Sequence, residues 1–223
     1  MLVFLQLSNV FWRKKRMKIA VHGSVQQLIE WSSRPLPAHV TTTLYHHAQD
    51  FQQAEADVYV LLAEDPFLRN VLPSQGIRLV NSVVDTTEDL PEGVIRINAW
   101  PGFLARTKIE YAAKNDQFQQ AESLFETLQW PTIQAPDVPG FITPRVLATI
   151  INEAFFAFES GVASETEIDT AMRLGTNYPK GPFEWCEEIG IKNVEALLKK
   201  LAEEDDLYKP CPLLVQYFGD KCL

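Results

Sequence analysis

Net positive charge is missing from this sequence. Its 20 Lys and Arg face 29 Asp and Glu, a formal charge of -9, which argues against non-specific nucleic-acid binding because a backbone binder needs a cationic face to displace counterions. Cysteine is scarce as well. Cys186, Cys211 and Cys222 are odd in number and share no Cys-x-x-Cys or Cys/His spacing, so neither a disulfide framework nor a zinc site is implied. His46 and His47 are adjacent, and neighbouring residues on an extended segment point to opposite faces, so they make no joint metal site. No hydrophobic run is long enough for a membrane span of about 20 residues. The apolar stretch at the start precedes the basic Arg13, Lys14, Lys15 and Arg16, the reverse of a signal peptide. Residues 1–16 therefore read as a non-native or disordered extension, with a peripheral membrane tether as the other reading. These absences point to an acidic protein in a reducing, cytoplasmic setting, without metal, nucleic acid or membrane.

What is present is enough apolar residue for a real core: 46% hydrophobic against 22% charged. From Met17 the chain alternates extended and helical signals. Lys18–His22 is a short apolar run followed by Gly23 and then by Val25, Leu28 and Ile29 at helical spacing. Val40–Tyr45, Asp57–Ala63, Gly76–Asn81 and Val94–Asn98 read as further strands, and Phe51–Ala56 as a short helix. Thr107–Tyr111 and Thr132–Gln134 extend the series around an amphipathic helix at Gln117–Leu128. The alternation predicts βαβ units and a small parallel sheet, because the connections are short. A boundary falls near Ala135–Asp137.

Beyond it everything is helical. Pro139-Gly140 leads into a helix with Val146, Leu147, Ile150, Ile151, Ala154, Phe155 and Phe158 recurring at i, i+3, i+4, an apolar surface wider than one packing face. Ser164-x-x-Glu167 predicts a capping box opening a helix with an apolar stripe at Ile168, Ala171, Met172 and Leu174, and Gly181-Pro182 opens a third helix. Val194–Glu204 and Leu213–Phe218 follow as helices.

Pro139-Gly140-Phe141, Asn152-Glu153-Ala154, Gly161-Val162-Ala163, Glu167-Ile168-Asp169 and Pro179-Lys180-Gly181-Pro182-Phe183 stand in the order and spacing of one family. Over these fifty residues the chain resembles the C-terminal domain of the 3-hydroxyacyl-CoA dehydrogenases. The resemblance implies an NAD-binding Rossmann domain, a helical domain that dimerises, and oxidation of 3-hydroxyacyl-CoA in the cleft between them.

Upstream, the resemblance holds only in outline. The glycine-rich turn that lets a pyrophosphate approach a helix N-terminus falls on His22-Gly23-Ser24-Val25-Gln26-Gln27, where Gly23 alone remains and Val25 and Gln27 are expected to occupy the pyrophosphate's volume. No acid ends the second strand at Tyr45-His46-His47, and the helical arm that reaches the CoA has no room before Asp57. The family's Asn-Thr-Ser-Ser run falls on Asn81-Ser82-Val83-Val84, so Val83 takes the place of the serine that binds the substrate hydroxyl. The family's histidine becomes Asn98, an amide with no usable pKa for general-base work, while the glutamate that orients it persists as a vestigial Glu110. Pro144 replaces an asparagine of the cleft. Ser82 either hydrogen-bonds a ligand carbonyl or ends a strand as a turn residue; Arg145 and Lys180 either face an acyl-CoA phosphate or are solvated charges; Trp100 and Trp185 line a pocket or serve packing.

The expected architecture is therefore α/β plus all-α: a degenerate, doubly wound Rossmann-like domain at 17–135 and a helical dimerisation or substrate domain at 136–223. The expected function is a 3-hydroxyacyl-CoA dehydrogenase relative without cofactor binding or catalysis, acting as an acyl-CoA-binding or interaction protein and forming a homodimer. The alternatives are an active enzyme with divergent motifs, in which case NAD is the cofactor, and a structural heterodimer partner of a full-length dehydrogenase.

Overall fold

The computed structural model describes residues 16–220. The expectation for residues 1–16 thus falls, Arg16 apart, outside the described residues, as does Cys222. Strands β1 (Met17–His22), β2 (Val40–Tyr45), β3 (Val58–Leu61), β4 (Ile77–Asn81), β5 (Val94–Ile97), β6 (Ile109–Ala112) and β7 (Thr132–Gln134) form one sheet in the order β2-β1-β3-β4-β5-β6-β7. The seven strands are the seven extended segments read from the sequence. β1 through β5 pair in parallel, but β5 and β6 are antiparallel, with Ile97 opposite Tyr111. That departs from the parallel-sheet expectation at this one pair, and β6 and β7, with a helix between them, are parallel again.

Helices α1 (Val25–Ser33), α2 (Ala48–Gln52), α3 (Pro66–Asn70) and α4 (Asn115–Leu128) flank the sheet. The short α3 has no apolar periodicity, and what starts it is Asp65, whose carboxylate accepts from the N–H groups of Phe67 and Leu68 at 2.9 and 3.0 Å. Leu28, Trp31, Leu124 and Phe125 cover one face of the sheet, where Trp31 and Trp130 meet edge to face at 4.7 Å between centroids. Phe51, Leu68 and Leu72 cover the other.

The helical half comprises α5 (Thr143–Glu159), α6 (Glu165–Thr176), α7 (Pro182–Ile189), α8 (Ile191–Ala202) and α9 (Pro212–Asp220). Its core takes in Val83, Trp100 and Phe103 from the sheet half, so the two halves share packed surface. Val83 and Pro144 are accordingly buried packing residues. The capping box at Ser164 and Glu167 forms as the sequence predicts. The stripe on α6 buries only in part: Ile168 packs against the core, while Leu174 is 83% exposed. On α5, Leu147, Ile151 and Phe155 go inward while Val146 stays 52% exposed.

One buried charge ties the segment between the halves to the sheet. Arg96 on β5 is completely buried, pairs with Asp137, and donates through Nε to the Ser82 carbonyl at 3.0 Å. Its guanidinium also lies 4.5 Å over the Phe141 ring. Burial lowers the Arg96 pKa while the Asp137 carboxylate works against that.

Candidate functional site

In this sheet the order in which strands are added reverses between β1 and β3, and the crevice beyond their carboxyl ends is where doubly wound sheets take ligands. Gly23 leaves β1 there. A Cβ at Gly23 would lie 2.7 Å from the Leu62 Cβ, so the glycine is needed for helix-against-strand packing. The same crevice is crossed by Gln27. Its carboxamide oxygen accepts from the Ser24 N–H at 3.0 Å, and its nitrogen donates to the carbonyls of Leu62 at 2.8 Å and Ala99 at 2.9 Å. Asn81 at the end of β4 repeats the bridge, donating to the Leu62 carbonyl and accepting from the Ala99 N–H. Ser24 Oγ in turn accepts from the Gln27 N–H, so α1 caps its own N-terminus. Val25 is 66% exposed and Gln27 only 6%, so of the two residues expected to fill the crevice it is Gln27 that does.

The antiparallel β5 and β6 bring a second group together. The Asn98 N–H donates to the Glu110 carbonyl at 3.0 Å, and the two side chains meet with Asn98 Nδ2 donating to Glu110 Oε2 at 3.1 Å. The other carboxylate oxygen accepts from the Thr143 N–H at 2.9 Å and the Thr143 hydroxyl at 2.6 Å. Thr143 opens α5, so the Glu110 charge sits against a helix N-terminus, where the backbone dipole favours it. A cavity of about 340 Å³ opens beside this pair, lined also by Phe103, Arg106 and Lys108. Asn98 offers no titratable group there, and both Glu110 oxygens are committed.

A larger cleft of about 730 Å³ runs between the two halves. Val146, Leu147 and Ile150 of α5 form one wall, Tyr178 and Trp185 another, and Arg106 stands where this cleft and the smaller cavity share lining. Lys180 pairs with Glu188 at 2.7 Å and lies 5.1 Å over the Trp185 ring. Glu30 accepts from the Gly102 N–H at 2.8 Å. Gly102 has φ +85°, a backbone that glycine adopts without strain, and a Cβ there would come within 2.8 to 3.0 Å of the Glu188 carboxylate, which would have to shift.

The structure thus joins Asn98 to Glu110 and places Lys180 in the large cleft, but it separates the other sequence candidates. Ser82 sends its hydroxyl to the Asp85 carbonyl at 3.3 Å, as a turn residue does. Arg145 turns away, donating to the Pro139 carbonyl at 3.2 and 3.0 Å and facing Tyr208. Trp100 is buried packing with its indole N–H on Glu64 at 3.0 Å, while Trp185 lines the cleft. Among the described residues no cluster of three or more His, Cys, Asp or Glu is placed to hold a metal ion. Arg106, Glu30 and Glu188 were missed: none lies in a motif, and the only signal for Arg106 is an arginine close after an aromatic between two strands.

Fold and cleft define the class first: a Rossmann-like, mostly parallel sheet joined to a helical C-terminal domain that closes over its strand ends. Residues 140–223 match the family model described as "3-hydroxyacyl-CoA dehydrogenase, C-terminal domain". The chain is 48% identical over 86 residues, 38% of its length, to 3-hydroxyadipyl-CoA dehydrogenase of Escherichia coli, and covers 18% of that protein. It is 35% identical over 108 residues, 48% of its length, to 3-hydroxybutyryl-CoA dehydrogenase of Bradyrhizobium diazoefficiens, covering 37% of it. The matched stretches therefore span well under half of these curated relatives. The crystal structure of (S)-3-hydroxybutyryl-CoA dehydrogenase from Ralstonia eutropha superposes over 92% of this chain and 94% of its own, with a TM-score of 0.66 at 18% identity, which shows a shared fold. Over its C-terminal 84 residues the chain is thus similar to the 3-hydroxyacyl-CoA dehydrogenases, and its fold as a whole is theirs.

The family's cofactor is NAD, and the crevice of this chain does not fit it. A dinucleotide pyrophosphate needs free backbone N–H groups at the start of α1 and bare backbone around them. Here the Ser24 and Gln27 N–H groups are engaged by each other's side chains, and the Gln27 carboxamide lies across the strand ends.

Proposed function

We propose that this chain uses the 3-hydroxyacyl-CoA dehydrogenase scaffold to bind an acyl-CoA, without NAD and without hydride transfer. The observation that carries the reading is the Gln27 bridge from α1 to the Leu62 and Ala99 carbonyls, which fills the cofactor crevice with protein hydrogen bonds. The Asn98–Glu110 pair is consistent with it, since hydride removal from an alcohol needs a base that can take the proton and an amide supplies none. The apolar cleft between the halves is the site for the acyl chain.

A second element of the reading is self-association through the helical half. Leu174 and Val162, 83% and 74% exposed, and the outward side of α5 at Val146 favour a subunit contact. Sedimentation of the purified chain separates a homodimer from a monomer awaiting a different subunit. The buried thiols Cys186 and Cys211, in no disulfide, suit a reducing, cytoplasmic compartment.

The test is an NADH titration with and without acetoacetyl-CoA, following cofactor fluorescence and oxidation. The expected result is no saturable NADH binding and no oxidation, with acetoacetyl-CoA binding alone. Saturable NADH binding with turnover would show an active dehydrogenase and overturn the reading.

A further inference from the structure

Two cations from the sequence, Arg145 and Lys180, are already engaged by the Pro139 carbonyl and by Glu188. A third is differently placed. Arg106 lines both the cleft of about 730 Å³ and the cavity of about 340 Å³ beside Asn98 and Glu110. Its guanidinium is held 4.0 Å over the Phe103 ring and 5.2 Å over the Trp185 ring. Among the described residues it makes no side-chain hydrogen bond and no ion pair; Glu110 and Glu188 act on its charge only at longer range. A half-buried guanidinium fixed between two rings, with its planar donors unmet, is preorganised for an anionic oxygen group.

The surroundings decide which anion. Leu147, Ile150 and Trp185 suit an aliphatic chain and not a polyanion. Glu30 and Glu188 each leave one carboxylate oxygen buried without a partner in the same cleft, which opposes a polyanionic phosphate cluster far more than a single carboxylate and accepts an N–H or O–H from a ligand. An apolar path ending at an unpaired arginine fits a chain that carries its own terminal carboxylate.

We infer that Arg106 binds the free carboxylate of an acyl-CoA whose acyl chain ends in an acid, so that the preferred ligands derive from dicarboxylic acids. This rests on the acyl-CoA reading above. A charge-assisted pair in a partly dry site makes the acid-ended ligand bind about tenfold or more tightly than its neutral counterpart.

The experiment is calorimetric titration of the full chain with adipyl-CoA and with hexanoyl-CoA, which share chain length and differ in the terminal carboxylate. The expected result is tighter binding of adipyl-CoA, a preference lost in Arg106→Met and partly kept in Arg106→Lys, both variants first checked for native melting. Equal affinities in the native chain would overturn the role of Arg106 and leave the acyl-CoA reading standing. Equal weakening of both ligands by Arg106→Met would also overturn it, assigning the arginine to a CoA phosphate. If neither ligand binds, or if the cleft is covered by a second copy of the chain and dissociation fails to restore binding, both readings fall.

Discussion

Asp169 and Gly181 admit each other only because position 181 has no side chain: a Cβ there would lie 2.2 Å from Asp169 Oδ1. That carboxylate reaches from α6 to the start of α7, accepting from the Phe183 N–H at 2.9 Å and the Glu184 N–H at 3.3 Å. Two motifs of the helical half, Glu167-Ile168-Asp169 and Pro179-Lys180-Gly181-Pro182-Phe183, are one structural contact, a helix borrowing its cap from the helix before it.

Gly181→Ala is therefore expected to destabilise the helical half by roughly 2 to 4 kcal/mol, because the clash is with a buried carboxylate that has its own donors to keep. Asp169→Ala should cost about 1 to 2 kcal/mol through loss of the cap. Urea unfolding measures both, and the double variant should fall short of the sum because each change disables the same contact.

The Arg96–Asp137 pair gives an acid-side pH dependence. Burial by itself would raise the Asp137 carboxyl, but hydrogen bonds from Thr87 and Arg96 and the arginine's charge outweigh that and hold it below the ordinary carboxylate range. A depressed carboxylate contributes stability that is present above its unfolded pKa and is lost as pH falls through the folded one. Melting temperature should drop on acidification below about pH 4, and Asp137→Asn should flatten that part of the profile. At neutral pH the substitution leaves Arg96 buried without its partner and should cost about 3 kcal/mol.

Gln27→Ala removes three hydrogen bonds at the crevice and leaves the Leu62 carbonyl with Asn81 only, the Ala99 carbonyl with none of these, and the Ser24 N–H uncapped. A loss of roughly 2 kcal/mol is expected in thermal or urea unfolding. Gln27→Met keeps the bulk without the bonds and should be no better, which separates hydrogen bonding from packing.

Glu110→Gln tests whether that carboxylate works as a clamp between β6 and α5. It keeps the shape but removes the charge facing the α5 N-terminus and two charge-assisted bonds from Thr143. Stability should fall by about 1.5 to 3 kcal/mol, and amide exchange should accelerate first in the opening turn of α5. Unchanged exchange there would remove the clamp.

Much of the fold was legible in order along the chain. All seven strands could be placed within a residue or two from apolar, β-branched runs, and the helical half from its i, i+3, i+4 spacing and from Ser164 and Glu167. Such signals are local: a capping box closes within one turn and a strand's burial shows in its own residues. The antiparallel turn into β6 and the short α3 were not legible, since one depends on which strand the chain finds beside it and the other on a single Asp65 cap.

The sequence by itself determined the resemblance carried by the helical motifs, the single glycine after β1, and an amide at position 98. Only the tertiary structure decided what those residues meet. It set Gln27 across the crevice from 35 and 72 positions away, closed Asn98 onto Glu110 and α5, and left Arg106 between two rings where two cavities join. The physical reason is that charge pairing, cavity shape and the satisfaction of buried polar groups depend on atoms brought together over long separations, and no pattern within a single helix or strand records them.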